Sequence, residues 1–144
     1  MPDELKLTGG TQQELLSLSV PADGDSIGGV TDQVSQILLD LGISEDKQME
    51  ISLALQEALA NAVKHGCGGD PTKRVHCRLS RDANARIMIV VSDPGPGIDF
   101  EKVRDPHAAE NLYEDHGRGI YLIRQLMDKV SFSRGGSEIQ MWKY

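Results

Sequence analysis

A chain of 144 residues with a net charge of −7, of which 39% are hydrophobic and 26% charged, suits one globular domain. The acidic balance argues against a general affinity for nucleic acid or for anionic membranes. The sequence has no apolar run near the ~20 residues that cross a bilayer and no secretory signal pattern at its start, so we expect a cytoplasmic protein.

The first half of the chain predicts one strand followed by two helices. The segment QELLSLSV (13–20) alternates weakly between apolar and polar residues, as a strand does. Apolar residues then recur at helical spacing over 27–41, and Gly42 ends that helix. Ser44 stands at the N-cap position of the next helix, whose last stretch, EALANAVKHG (57–66), runs into glycines.

The second half predicts strands, a long loop, one more helix and a hairpin. RVHCRLS (74–80) and ARIMIVVSD (85–93) are two strands around an RDAN turn, and the second is apolar enough to be central in its sheet. The polar stretch 100–116 is long for a loop, which predicts a functional lid or a mobile segment. GRGIYLIRQLMDKV (117–130) resumes helical spacing, and VSFSRGGSEIQMWKY (130–144) closes as a hairpin.

This layout predicts an α+β fold, a two-layer sandwich with helices packed on one face of a mixed, mostly antiparallel sheet. We expect residues 1–10 to be a tail and residues 11–144 to form the domain. The first helix carries Val30 and Val34, which suit either the core or a dimer interface.

The two cysteines, Cys67 and Cys77, lack CxxC spacing, and a structural disulfide is not expected. They lie near His65 and His76, which raises the alternative of a zinc site. Adjacent strand residues point to opposite faces, however, so His76 and Cys77 are poorly placed to hold one metal ion.

A polar stripe marks the second helix, because Glu57, Asn61 and His65 stand four residues apart among small apolar residues. A solvated helix face is the ordinary interpretation of such a stripe. A carboxylate and an amide oxygen one turn apart are, however, ligands that magnesium accepts. The carboxylate is also able to take a proton from a hydroxyl or a water molecule.

The segment DPGPG (93–97) follows the apolar strand directly. Asp93 therefore needs a hydrogen-bond donor, since a lone carboxylate there is costly. Gly95 and Gly97 allow the backbone to approach a ligand closely, although a simple tight turn is the alternative interpretation.

A glycine pair opens the last helix. Gly117 and Gly119 flank Arg118 at the point where backbone amides are still unpaired, and such a helix start is a natural anion site. The planar guanidinium of Arg118 suits phosphate. A flexible hinge beside an ordinary first-turn arginine is the alternative.

The order and spacing of these motifs resemble the Bergerat-fold (GHKL) ATP-binding domains of histidine kinases and gyrase-type topoisomerases. EALANAVKHG resembles their E-x-x-x-N-x-x-x-H box, DPGPG their D-x-G-x-G box, GRGIYLI their later glycine box and GGSEIQMWK their closing glycine-threonine segment. The resemblance runs from about residue 12 to the C-terminus. Within that superfamily, the stand-alone domain is similar to the anti-sigma-factor serine kinases of sporulation and general stress.

This resemblance implies a serine/threonine protein kinase that uses ATP and Mg²⁺. Such a kinase phosphorylates a small STAS-type anti-sigma-factor antagonist, sequesters a sigma factor and commonly acts as a homodimer. The acidic charge balance and the lack of a long apolar run add the expectation of no direct contact with nucleic acid or membrane.

The resemblance further assigns roles to the first two motifs. Asn61 would coordinate magnesium, and Glu57 would be the base that acts on the incoming hydroxyl. Asp93 would accept a hydrogen bond from the adenine amino group, with Gly95 and Gly97 shaping the wall beside the base.

For the remaining positions, Gly117, Arg118 and Gly119 would cradle the phosphates, with Arg118 near the transferred one. His65 would help to order Asn61 or the lid. Ser137 replaces the threonine that is usual in the closing segment, and its hydroxyl would bond Asp93 or the adenine region.

Two alternatives stay open at this point. One is a nucleotide-binding module that switches partners without kinase activity, although such a module needs neither a base nor a metal ligand. The other is a detached histidine kinase catalytic domain. Against it, none of the four histidines lies in a helix with an HE acceptor motif (His65, His76, His107 and His116).

Overall fold

The computed structural model describes residues 12–96 and 118–144. These residues form, in chain order, β1 (Gln12–Pro21), α1 (Gly24–Asp40), α2 (Glu45–Asn61), a π-helical turn (Ala62–Gly66), β2 (Arg74–Asp82), β3 (Ile87–Ser92), α3 (Arg118–Leu126), β4 (Lys129–Ser133), a 3₁₀ turn (Arg134–Gly136) and β5 (Glu138–Lys143). The predicted tail 1–10 and the predicted lid 100–116 lie outside the described residues. None of the described helices is long and apolar enough to span a membrane.

The described strands form one five-stranded sheet in the order β1-β2-β3-β5-β4, and every neighbouring pair is antiparallel. The prediction of a mostly antiparallel sheet is confirmed, but these strands include no parallel pair. The reason is that β1 lies beside β2, and β5 turns back from β4 to pair with β3. As the sequence predicted, β3 is central and almost wholly buried.

The helices cover one face of this sheet, and a single apolar cluster fills the space between the two layers. Strand alternation sends Val75, Cys77 and Leu79 into that cluster, while His76 and Arg78 face solvent. The predicted separation of His76 from Cys77 is therefore confirmed.

Local sequence signals fix where the first two helices begin and end. The carboxylate of Asp23 accepts the amide of Ser26 at 2.8 Å, and the hydroxyl of Ser44 accepts the amide of Lys47 at 3.3 Å. Gly42 has a φ of +76°, which suits glycine at the end of α1. Val30 and Val34 are buried in the core, so of their two predicted roles the structure supports core packing.

The last helix runs antiparallel to α2. At its start, Gly119 packs against Glu57 and Asn61, near the end of α2. At its other end, the Nζ atom of Lys143 donates to the carbonyl of Leu126 at 2.6 Å and lies 3.0 Å from a carboxylate oxygen of Glu50. The two helices therefore meet along a seam with Glu57 and Asn61 at one end, and this seam positions the candidate site.

Candidate active site

The candidate site centres on Asp93, the first residue after β3. Its backbone amide donates to the carbonyl of Ser137 at 3.0 Å, which ties the end of β3 to the start of β5. Its side-chain Oδ1 accepts the amide of Gly95 at 2.7 Å. The hydrogen-bond donor that the sequence predicted for this carboxylate is thus the backbone amide of Gly95, in the turn that Asp93 itself begins. Among the described residues, the hydrogen bonds of the carboxylate involve Oδ1, which leaves Oδ2 available to a ligand.

Two glycines make room for this carboxylate. A Cβ atom added to Gly66 would overlap the carboxyl group of Asp93, and one added to Gly95 would overlap the carbonyl oxygen of Gly66. Neither overlap is relieved by rotating a long side chain, because the atoms met are a short carboxylate and a backbone carbonyl. The close approach of these three residues therefore requires glycine at both positions.

The electrostatic setting of Asp93 has two opposing parts. Burial raises the pKa of its carboxyl group, while the hydrogen bond from the Gly95 amide and the positive charge of Arg134 act in the opposite direction. A half-buried carboxylate beside a pocket is typical of a binding site, since its oxygens are strong acceptors for a ligand amine.

An open pocket with an empty volume of about 430 Å³ extends from Asp93 between the helices and the sheet. Most of its wall is apolar and comes from α2, the π-helical turn, the sheet and α3: Ala58, Ala62, Val91, Ile120, Phe132 and Ile139. A pocket with apolar walls and one carboxylate at its end suits a flat heterocycle that carries an amino group.

Ser137 lies in this wall, but its hydroxyl has a different role from the predicted one. The Oγ atom donates to the carbonyl of Arg134 at 2.9 Å and so closes the 3₁₀ turn between β4 and β5. The contact with Asp93 is made by the Ser137 carbonyl. Of the two predicted partners of the hydroxyl, Asp93 is therefore wrong, because a local turn satisfies the hydroxyl first. A contact of the hydroxyl with the adenine region stays a prediction.

Asn61 and Glu57 meet α3 at the seam next to the pocket. A Cβ atom on Gly119 would lie 2.8 Å from Oε1 of Glu57 and 3.4 Å from Nδ2 of Asn61, so the missing side chain is what lets the helices approach. The Nδ2 atom of Asn61 is buried and has no hydrogen-bond partner within residues 12–96 and 118–144. An orphaned buried amide is costly unless a ligand satisfies it.

The side chains at this end of the seam are of the types that bind Mg²⁺ together with phosphate. The amide of Asn61 can rotate to present its oxygen, and it is one turn away from the Glu57 carboxylate. His65 also lines the pocket, from the π-helical turn that follows α2. Such single π-helical turns occur frequently at functional sites.

The structure brings most of the predicted site residues into one region. Five lie at the pocket or in its turn: Asn61, His65, Asp93, Gly95 and Ser137. Glu57 and Gly119 adjoin them at the seam. Helix α3 is described from Arg118 onward, and the side chain of Arg118 and the residues Gly97 and Gly117 lie outside the described part of the chain.

Sequence reasoning missed the role of Gly66 and most of the apolar wall. Gly66 has the signature of a helix end, and nothing local indicates that it also faces Asp93, which is 27 positions further along the chain. The ring of Phe132 comes from β4, in a segment that the sequence identifies only as one arm of a hairpin.

The zinc alternative is weakened by the state of the two thiols. Both cysteines are free and buried. Burial raises the pKa of Cys77 to about 12 and, together with the charge of Asp93, also raises that of Cys67. A thiol binds metal as its thiolate, which these environments disfavour. No metal-binding group of three His, Cys, Asp or Glu side chains occurs within residues 12–96 and 118–144.

Gly66→Ala should lower the stability of the protein by about 1–3 kcal/mol, because the added methyl group displaces the Asp93 carboxyl group or the turn. Thermal or urea unfolding measures the change. Gly28→Ala is the matched control, since a Cβ atom there meets nothing within 4 Å and the residue is interior to α1. The control should be neutral or slightly stabilising, and an equal loss in both variants would contradict the assigned contact.

Comparison with protein families matches residues 20–143 to the histidine kinase-like ATPase domain. Among curated relatives, the serine-protein kinase RsbW of Bacillus velezensis is 28% identical over 93% of this chain and 88% of its own length. The serine-protein kinase RsbW of Halalkalibacterium halodurans is 31% identical over 92% of this chain and 85% of its own.

Comparison with solved structures supports the same fold. The RsbU and RsbW domains of a Mycobacterium tuberculosis protein match with a TM-score of 0.62 at 16% identity, over 89% of this chain and 30% of that one. A chain of the SiaB–SiaC complex from Pseudomonas aeruginosa matches with a TM-score of 0.58 at 12% identity, over 99% of this chain and 94% of that one.

Proposed function

This chain belongs to the family of histidine kinase-like ATPase domains, and from that premise we propose that it is an ATP-dependent serine/threonine protein kinase of a partner switch. The observation that carries the proposal is the position of Glu57 and Asn61 at the seam beside the pocket that ends at Asp93. A nucleotide seated there would present its phosphates near a carboxylate and an amide. A module that only binds nucleotide has no need of a general base, so Glu57 is the group that favours phosphoryl transfer.

The proposed partners follow from the relatives. Curated relatives are named serine-protein kinases, and one structural neighbour was solved in a complex. For this chain we propose a small STAS-domain anti-sigma-factor antagonist as phosphoryl acceptor, a sigma factor as the sequestered partner, a homodimer as the working form and the cytoplasm as its location.

Asp93 orients the base in this proposal. Its Oδ1 atom is held by the Gly95 amide at 2.7 Å, so Oδ2 accepts the adenine amino group. The apolar residues of the wall enclose the ring and exclude water, which strengthens that hydrogen bond. The arrangement favours adenine, because a base with a carbonyl oxygen at that position would face a carboxylate.

Glu57 acts on the acceptor. Its carboxylate lies at the seam against Gly119, one turn before Asn61, and takes the proton of the acceptor hydroxyl as the oxygen attacks the terminal phosphorus. The bond to the ADP oxygen breaks as the new P–O bond forms. Phosphoryl transfer needs mainly position and charge neutralisation, and a fixed carboxylate supplies the proton acceptor.

Asn61 would hold Mg²⁺ with its side-chain oxygen, together with the phosphate oxygens, and the metal would neutralise phosphate charge. We further propose that Gly117, Arg118 and Gly119 offer backbone amides at the start of α3 to the phosphates, with Arg118 near the transferred one. His65 is proposed to keep Asn61 in place from the π-helical turn.

Asn61→Ala should shrink the gain in ATP affinity that Mg²⁺ provides, because it removes the proposed metal ligand and keeps the Asp93 carboxylate that binds the base. Calorimetry with and without Mg²⁺ measures that gain. Asn84→Ala, in the exposed turn between β2 and β3, is the matched control. An unchanged Mg²⁺ dependence in Asn61→Ala would rule out this role for Asn61.

A further inference from the structure

The outer surface beside Glu57 has a stretch of uncharged side chains. Along α2, the exposed positions from residue 49 to residue 60 are Met49, Leu53, Gln56 and Ala60, and on α3 the exposed neighbours include Leu122 and Gln125. Glu57 is partly buried among them. Charged side chains border this stretch, because Lys64 is exposed in the π-helical turn and Glu50 is partly exposed next to Met49. Apolar and methionine side chains inside a polar rim are typical of a protein interface.

Two leucines of this surface lie at the edge of the seam. Leu53 precedes Glu57 by four residues, so it stands on the same side of α2, about 6 Å along the axis. Leu122 follows Gly119 by three residues. Because α3 runs antiparallel to α2, with Gly119 beside Glu57 and Leu126 level with Glu50, Leu122 lies about level with the turn that begins at Leu53.

The core does not account for these leucines. The inward faces of the two helices bury Ile51, Leu55 and Ile123 completely, whereas Leu53 is 39% exposed and Leu122 is 38% exposed. Single exposed leucines are common on protein surfaces. Here two of them lie within about one helical turn of the carboxylate that the proposed function uses as a base.

We propose that Leu53 and Leu122 form the docking surface for the acceptor protein, which presents its serine or threonine to Glu57 within an apolar, weakly charged patch of its own. The proposal rests on the proposed kinase function. The occupant is a folded protein rather than a small hydroxyl compound, because the two leucines extend the apolar surface at least one helical turn beyond Glu57.

The test compares Leu53→Gln and Leu122→Gln with wild-type protein. Glutamine is neutral and a good helix former, so it removes apolar contact without adding charge near Glu57. Steady-state phosphorylation of the STAS-domain protein encoded nearest to the gene should show KM for the acceptor raised by about fivefold or more in each variant. The kcat at saturating acceptor, the Kd for ATP and the melting temperature should stay near the wild-type values.

Leu39→Gln is the matched control. Leu39 is 58% exposed on α1, whose end connects to the start of α2, so it lies at the opposite end of α2 from Glu57. The control should keep the wild-type KM. Unchanged KM in both seam variants, with wild-type transfer intact, would overturn the docking surface and leave the kinase function standing. No transfer by the wild-type protein would overturn the kinase function and the role of this surface with it.

Discussion

Glu57→Gln is expected to lower the rate constant for phosphoryl transfer by about 10²- to 10⁴-fold, the usual contribution of a positioned general base. The amide keeps the size of the side chain and its place against Gly119 but has little affinity for a proton. Because Glu57 belongs to the acceptor side of the seam and not to the pocket wall, the Kd for ATP should change little. Single-turnover transfer to the acceptor and calorimetric ATP binding give the two quantities.

Glu50→Gln is the matched control for this experiment. Glu50 lies two turns earlier on α2, faces α3 as Glu57 does, and makes a partly exposed ion pair with Lys143. Such pairs contribute about 1 kcal/mol or less, so the control should transfer phosphate normally. Transfer that persists at the wild-type rate in Glu57→Gln would show that another group accepts the proton.

Asp93→Asn should weaken ATP binding by about 5- to 150-fold, which corresponds to about 1–3 kcal/mol for a buried donor left without an acceptor. One carboxylate oxygen already accepts the Gly95 amide. In the variant, the amide oxygen of the asparagine would accept the Gly95 amide. The amide nitrogen would then face the adenine amino group, and neither group would have an acceptor. Asp32→Asn, at an exposed position of α1, is the control and should bind ATP normally.

The same variant has a second signature in the absence of nucleotide. Burial raises the pKa of Asp93 above its ordinary value of 3.8, so the folded protein holds this proton more tightly than the unfolded chain. The contribution of Asp93 to stability therefore falls as the pH rises from about 3.8 through the raised native value. Asp93→Asn should lack this fall and be at least as stable as the wild type at neutral pH. A less stable variant with unchanged ATP affinity would contradict the assigned role.

Much of the fold could be predicted from local signals. The cap Ser44, the glycine at 42 and the apolar run of β3 each depend on chemistry within a few residues, and each was found in its place. The exclusively antiparallel pairing of the described strands was not predictable in full, because the position of β5 beside β3 is set by contacts far apart in the chain.

The site shows the same division between local and distant information. The four-residue spacing of Glu57 and Asn61 is enough to place both side chains on one face of a helix. The contact of Gly66 with Asp93 and the pairing of the Ser137 carbonyl with the Asp93 amide depend on how α2, β3 and β5 meet. The predicted bond from the Ser137 hydroxyl to Asp93 was wrong for this reason, since its own turn provides a nearer acceptor.

The most direct test of the central claim is the intact mass of the acceptor. The purified protein is incubated with Mg·ATP and the STAS-domain protein encoded nearest to its gene, and the acceptor is then weighed by mass spectrometry. The account predicts a gain of one phosphoryl group on a serine or threonine with wild-type protein and with Glu50→Gln, and almost none with Glu57→Gln. An acceptor whose mass stays unchanged, while calorimetry shows ATP bound to the wild-type protein, would contradict the kinase function and favour a nucleotide-binding module.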